Sequence, residues 1–220
     1  MNINFVNIKN RKALRCRLLV MTFSIGLLAV VLVRPLLAAQ SEEMQLKSAF
    51  LYNFIKFVDW PQKKFEDSNS AVIIGVIAKD PLGDAFKPLI GKKVKNRTVV
   101  VKHLTGFDDL NQSRKQNNSE PNEIAASLRE CHLLFICSAE NRNISKIIDS
   151  IKDCNVLIVG EQTGFLETGG MINFLIENNK VRFEINLDAA EKEELKMNSQ
   201  LLQLAKRVIK QKPKPGKTGK

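Results

Sequence analysis

The segment MINFLIENNKVRFEIN, residues Met171–Asn186, contains a register from which the rest of the chain is read. Two alternating runs, Met171–Glu177 and Lys180–Asn186, flank Asn178-Asn179. Asparagine tolerates positive φ, so the pair predicts a two-residue hairpin turn. That turn sets Ile176 opposite Val181, Phe174 opposite Phe183 and Ile172 opposite Ile185, all apolar and all on one face, which must lie on the core. Side chains alternate along a strand, so the other face carries Asn173, Leu175, Glu177, Lys180, Arg182, Glu184 and Asn186. A slip of one residue would turn every apolar group outward, which pins the pairing. The outer face reads either as weak cross-strand ion pairs, Glu177 with Lys180 and Arg182 with Glu184, or as a ligand surface.

Upstream, short apolar runs alternate with helical stretches. Ala71–Ala78 reads as a buried strand, Asp80-Pro81-Leu82-Gly83 as a turn, and the residues to about Ile90 as a helix. Arg97–Leu104, Leu133–Cys137 and Val156–Gly160 supply further strands, with helices over Glu123–Arg129 and Asn143–Lys152 and a polar loop over Asn111–Asn122. Strands that alternate with helices predict a parallel sheet covered on both faces. Ahead of them, Ser41 can cap a helix that runs to about Trp60, where Pro61 ends it. Leu46, Phe50, Leu51, Phe54, Ile55, Phe57 and Val58 give that helix a broad apolar stripe of the kind that packs on a core. Beyond the hairpin, Asn198 or Ser199 caps a final helix whose stripe is Leu201, Leu202, Leu204, Ala205, Val208 and Ile209, and Pro213 and Pro215 stop it. The fold class is therefore α/β: a central, mainly parallel sheet flanked by helices, with a C-terminal antiparallel hairpin and a last helix.

The 220 residues carry 34 Lys and Arg against 23 Asp and Glu, a formal charge of +11. The excess sits at the ends: six bases and no acid in 1–40, seven bases and no acid in 206–220, and 21 bases against 23 acids between them. A body so close to neutral argues against nucleic-acid binding, which needs a basic face on the folded domain. The basic start leads into the uncharged run Leu18–Val33 and then Leu36-Leu37-Ala38-Ala39-Gln40, the pattern of a secretory signal peptide over 1–39 cleaved after Ala39. The competing reading is an uncleaved anchor, but the run has sixteen residues and Arg34 closes it, whereas a spanning helix needs ~20. The expected mature protein is one extracytoplasmic domain over 41–210 with a disordered basic tail at 211–220.

Export places Cys131, Cys137 and Cys154 in an oxidising compartment. Cys131 and Cys154 each stand just ahead of a predicted strand, whereas Cys137 ends its strand at the opposite edge, ~17–20 Å away. Bridged cysteines need Cα atoms within about 7 Å, so the expected disulfide is Cys131–Cys154, with Cys137 unpaired. With His103 and His132 these cysteines lack metal-ligand spacing, so no metal and no cofactor is expected. The chain has no G-x-S-x-G, H-E-x-x-H or P-loop motif, and His132 enters a buried strand with no activating neighbour. The residues point to a protein without catalysis.

Three segments share a pattern with a known family. LKSAFLYNFIKFVDWP (Leu46–Pro61), GGMINFLIENNKVRFEINLDAA (Gly169–Ala190) and LLQLAKRV (Leu201–Val208), around an α/β core with ECHLLFICSAE in its usual strand, resemble the YfiR-type family of exported bacterial proteins. The resemblance implies a periplasmic repressor that binds the periplasmic sensor domain of an inner-membrane YfiN-type diguanylate cyclase and so limits cyclic di-GMP and biofilm growth. It further implies release by redox or envelope stress or by an outer-membrane lipoprotein, a homodimer, disulfides and, in some members, a bound small molecule. Three mature cysteines are too few for two intramolecular bridges.

For a repressor of this kind the contact surface is expected on the hairpin's outer face and the adjoining C-terminal helix. Arg182 leads, because a guanidinium forks onto carboxylate or phosphate; Glu177, Glu184 and Asn186 share its face. Gly169-Gly170 read as a turn or as a place of close approach. The alternatives are a periplasmic small-molecule binder and an envelope scaffold. A small-molecule site is expected at the carboxyl ends of the strands, by Ala78-Lys79-Asp80, Ser138-Ala139-Glu140 and Gly160-Glu161-Gln162.

Overall fold

A computed structural model describes residues 42–67, 69–78, 83–104, 122–138 and 143–210. The expected signal peptide, the Ser41 cap, the turn at 80–82, the loop at 111–121 and the basic tail lie outside them. The chain divides into units 1–43 and 44–220, and the body is the second.

Residues 42–57 form α1. Most of its stripe is buried as the spacing predicts, with Leu51, Phe54 and Ile55 fully enclosed, but Leu46 in its first turns is 47% exposed. The helix stops short of Trp60 because Val58–Asp59 (β1) leaves it to pair antiparallel with Lys196–Met197 (β9). The other strands are Val72–Ile77 (β2), Lys93–Val94 (β3), Arg97–Leu104 (β4), Leu133–Ile136 (β5), Leu157–Gly160 (β6), Ile172–Glu177 (β7), Lys180–Asn186 (β8) and Arg207–Ile209 (β10). The α-helices are Asn122–Arg129 (α2), Ile144–Ser150 (α3), Leu187–Lys192 (α4) and Ser199–Leu204 (α5). The helix expected before Ile90 is a 3-10 helix over Gly83–Leu89, with Pro88 inside it.

Among the described residues eight strands form one sheet in the order β10-β8-β7-β6-β5-β2-β4-β3. From β7 to β4 all neighbours run parallel, as the strand-helix alternation predicts. The strand order reverses between β2 and β5. Both lie at the centre and are buried along nearly their whole length, which is why they read as continuous apolar runs. Phe54 stacks on Phe174 at 5.6 Å and meets Phe183 edge-on at 5.1 Å, so α1 covers the hairpin's inner face. Phe135 of β5 joins the same cluster, 5.9 Å from Phe174. Burying each such side chain is worth about 1.5–3 kcal/mol.

The hairpin register is the one the sequence specifies: Ile172 with Ile185, Phe174 with Phe183, Ile176 with Val181. Asn178 and Asn179 sit at φ 51° and 59°, the left-handed pair that a two-residue turn demands. One detail differs. Ile176 is 50% exposed, because the hairpin tip extends past the cover that α1 gives Phe174 and Phe183.

The C-terminal end departs further from expectation. Asn198 caps as predicted, its Oδ1 accepting from Gln200 N at 2.8 Å, but α5 ends at Leu204. Ala205 is already extended, Lys206 N donates to Phe183 O at 2.8 Å, and Arg207–Ile209 run parallel to β8. The open edge of β8 offers unpaired backbone groups, and β-branched Val208 and Ile209 suit a strand better than a helix. The stretch from Leu187 to Lys192 forms the helix α4, capped by Asn186.

Candidate functional site

The hairpin positions the expected contact residues by alternation. Lys180 and Arg182 project outward from β8 and are exposed, while Val181, Phe183 and Ile185 point inward. The cross-strand ion pairs of the simple reading are replaced by pairs to the C-terminal strand. Arg207 stands opposite Glu184 and grips it with two bonds, Nε to Oε1 at 3.1 Å and Nη2 to Oε2 at 2.8 Å. Those bonds and the carboxylate charge hold the Arg207 guanidinium above its ordinary pKa. Lys206 Nζ meets Glu177 Oε1 at 2.7 Å. Arg182 is left exposed, with no hydrogen bond or ion pair among the described residues. Half-buried Leu175 lies across the ladder from it. Sequence reasoning missed Lys206 and Arg207, because it placed them on a helix.

Asn186 is structural: its Oδ1 accepts from Ala189 N at 3.0 Å and its Nδ2 donates to Leu166 O at 3.0 Å. Asn173, expected outside, is buried and accepts from Gln162 N at 3.1 Å. Gly169 has φ +101°, in a turn closed by Gly169 N to Leu166 O and Gly170 N to Phe165 O. The group that approaches closely is the Phe165 ring. A Cβ on Gly170 would lie 2.2 Å from it, and one on Gly160 2.5 Å. Gly169 and Asn186 do share the wall of a cavity of about 580 Å³ between α3 and α4, with Ile148, Ile158 and Met171 as its apolar lining.

At the carboxyl edge, Glu161 is enclosed. Its Oε2 pairs with Lys47 Nζ at 2.5 Å, both side chains nearly buried, and its Oε1 accepts from Ser138 N at 2.9 Å. Gln162 Nε2 donates to Ile136 O and Cys137 O, and its Oε1 is buried without a partner. Lys79, Asp80, Ala139 and Glu140 lie outside the described residues.

A larger cavity, about 740 Å³, opens at the other end of the strands, lined by Lys64, Asp67, Ile73, His132, Cys154 and Asn155 among others. His132 is 4% exposed. Its Nδ1 accepts from Ile73 N at 3.2 Å, its ring stacks on Phe65 at 4.7 Å, and its Nε2 has no partner. Burial, then the charges of Lys64 and Arg97, push its pKa down to about 3. It is buried, as its place at the start of a buried strand predicts, but only one of its ring nitrogens is satisfied.

The expected Cys131–Cys154 bridge is not formed: all three cysteines are thiols in the structure. Cys131 does stand at the same sheet end as Cys154. Its sulfur, however, turns under β2 toward Gly75 and donates to Ser127 O, whereas the Cys154 sulfur donates to Lys152 O. Lys64 lies between the two segments, its Nζ donating to Arg129 O at 2.7 Å and to Cys154 O at 2.8 Å. Burial pushes the Cys131 thiol up to about 11. Among the described residues no His, Cys, Asp and Glu are grouped to hold a metal ion, and no helix is long and apolar enough to cross a membrane.

The sequence pattern of the DUF4154 family, described as YfiR/HmsC-like, matches residues 44–206. No curated protein matches the chain. Among solved structures it is similar to a conserved domain protein from Vibrio cholerae O1 biovar El Tor, at 13% identity and a TM-score of 0.43, over 62% of this chain and 54% of that one. It is likewise similar to an ABC domain from Streptococcus pneumonia solved in complex with L-Trp, at 11% identity and a TM-score of 0.45, over 63% and 55%. The chain thus spans about half the length of each.

Proposed function

The chain belongs to the YfiR/HmsC-like family, and on that footing we propose that it is an exported periplasmic regulator without catalytic activity. It binds the periplasmic sensor domain of an inner-membrane diguanylate cyclase of the YfiN type and holds the enzyme inactive. The observation that carries this reading is the family match, which takes in α1, the whole sheet up to β8, and α5. A homodimer, and sequestration by an outer-membrane lipoprotein, belong to the same reading.

A repressor acts only through the difference in its affinity for two states of its target. Moving such a switch from 1:99 to 99:1 takes a difference of about 10⁴-fold. Arg182 is the group we assign to that contact. Its charge is unspent on the hairpin face, while Glu177 and Glu184 are already tied to Lys206 and Arg207. A carboxylate of the sensor domain is the natural counterpart. Deleting the gene should raise cellular cyclic di-GMP, and the wild-type chain should restore it. Arg182→Ala, accumulating to the same level, should fail to restore it. Cyclic di-GMP that does not respond to the deletion would refute the regulatory role; full complementation by Arg182→Ala would refute only the assignment of the surface.

A second reading, a periplasmic small-molecule binder, draws support from the cavity that Gly169 and Asn186 line, whose volume of about 580 Å³ falls in the range of ligand sites. Thermal stabilisation by a metabolite, lost when the cavity is filled by Met171→Trp, is the result expected of it.

A further inference from the structure

The loop entering β3 lies apart from the hairpin face and from both cavities. Ile90, just past the 3-10 helix, is 60% exposed. Gly91 follows at φ +79°, with nothing within 4 Å of the place a Cβ would occupy, so the outer side of this loop is open while its backbone is tied to β4, Gly91 N to Val99 O at 3.0 Å and Val99 N to Lys92 O at 2.7 Å. Lys92 and Lys93 come next, both exposed. The Tyr52 ring gathers the charges: Lys92 Nζ lies 4.8 Å and Lys56 Nζ 5.8 Å from its centroid, and its hydroxyl donates to Lys93 O at 3.2 Å. Neighbouring lysines are neutralised, Lys87 by Asp84 and Lys95 by Asp59. Lys56, Lys92 and Lys93 have no carboxylate partner among the described residues. Two ammonium groups over one ring, a third lysine beside them in the chain and an exposed isoleucine thus share one edge of the body, and their charge is open to an external anionic surface.

We propose that this tip, Ile90 with Lys56, Lys92 and Lys93 around Tyr52, docks on a bilayer that contains anionic phospholipid. Each lysine near an anionic lipid surface adds about 1 kcal/mol of attraction, and ammonium groups with no carboxylate partner are the charge complement of a field of headgroup phosphates. Ile90 gives this edge an exposed aliphatic side chain for the headgroup boundary, while Tyr52, half-buried, holds the lysines in place. The contact would hold the body against a membrane face through residues separate from the hairpin.

The test is co-sedimentation of the full chain with phosphatidylcholine vesicles with and without phosphatidylglycerol. The basic ends of the chain also attract anionic lipid, so the variants carry the decision. Lys92→Ala with Lys93→Ala should lower partitioning onto the anionic vesicles roughly 25-fold, about fivefold per lysine. In Ile90→Trp, indole emission should shift to the blue on anionic vesicles and stay unmoved on phosphatidylcholine, with the parent chain, which has Trp60 alone, as reference. Both substitutions are exposed, and unchanged circular dichroism checks the fold. Partitioning unaffected by the double variant, or emission from Ile90→Trp that ignores the anionic vesicles, would overturn the proposal and leave an acidic protein surface as the occupant.

Discussion

His132 makes the body sensitive to acid in a way that can be worked out from its contacts. The ring is buried, and its Nδ1 accepts a hydrogen bond from Ile73 N, so that nitrogen must keep its lone pair. Protonation would break the bond and set a cation in a dry site near Lys64 and Arg97. These effects, burial first, bring the folded pKa from 6.5 down to about 3. The unfolded chain therefore binds the extra proton first. Stability is whole above about pH 6.5 and falls as pH drops through the window toward 3, at about 1.4 kcal/mol per unit. At pH 5, some 1.5 units into the window, the loss from this residue alone is about 2 kcal/mol. Urea unfolding followed by Trp60 fluorescence at about pH 7 and pH 5 measures it. In His132→Gln the pH-dependent part of the loss should vanish even though the variant starts from a lower stability, while His103→Gln should keep it. If His132→Gln loses as much between the two pH values as the parent, the assignment is wrong.

Gly170→Ala should cost about 1–3 kcal/mol, because its Cβ would fall 2.2 Å from the Phe165 ring; Phe165→Leu in the same chain should recover part, seen as non-additive urea midpoints. Lys47→Met should cost about 3–5 kcal/mol by stranding the buried Glu161 carboxylate, and adding Glu161→Gln should return much of it. Equal losses in the single and double variants would deny the pair its role. In native alkylation followed by mass mapping, half-exposed Cys154 should react first, and Cys131, whose buried thiol is pushed up to about 11, only after unfolding.

The parts of the fold legible in the sequence were those with a single consistent period. The hairpin register follows from six apolar positions and two asparagines, and β4 runs over Arg97–Leu104 as its β-branched run predicts. The short elements escaped because local pattern does not specify them. β1 and β9 exist only by pairing with each other, and Lys95-Asn96, the φ-positive turn between β3 and β4, is preceded by too short a strand to announce itself. At the C-terminus, helical spacing of leucines ran on into Val208 and Ile209, and the edge of β8 overrode it. The same override hid the partners of Glu177 and Glu184, since Lys206 and Arg207 reach the hairpin only when the chain is extended. Arg182 was legible because alternation alone sets it outside. The thiols were not, because strand order brings Cys131 and Cys154 to one end without saying which way each sulfur turns.

The ribbon of β1 and β9 joins Val58 to Met197, 139 positions apart. At a synthesis rate of about 5–20 residues per second, α1 is made on the order of ten seconds before the segment that locks its exit. Through that interval Leu51, Phe54 and Ile55 have neither the hairpin nor the ribbon over them. Within the body, the earliest apolar surface to be made is among the last to be covered, so a chain cut short before the hairpin should be a substrate for chaperones and a seed for aggregation.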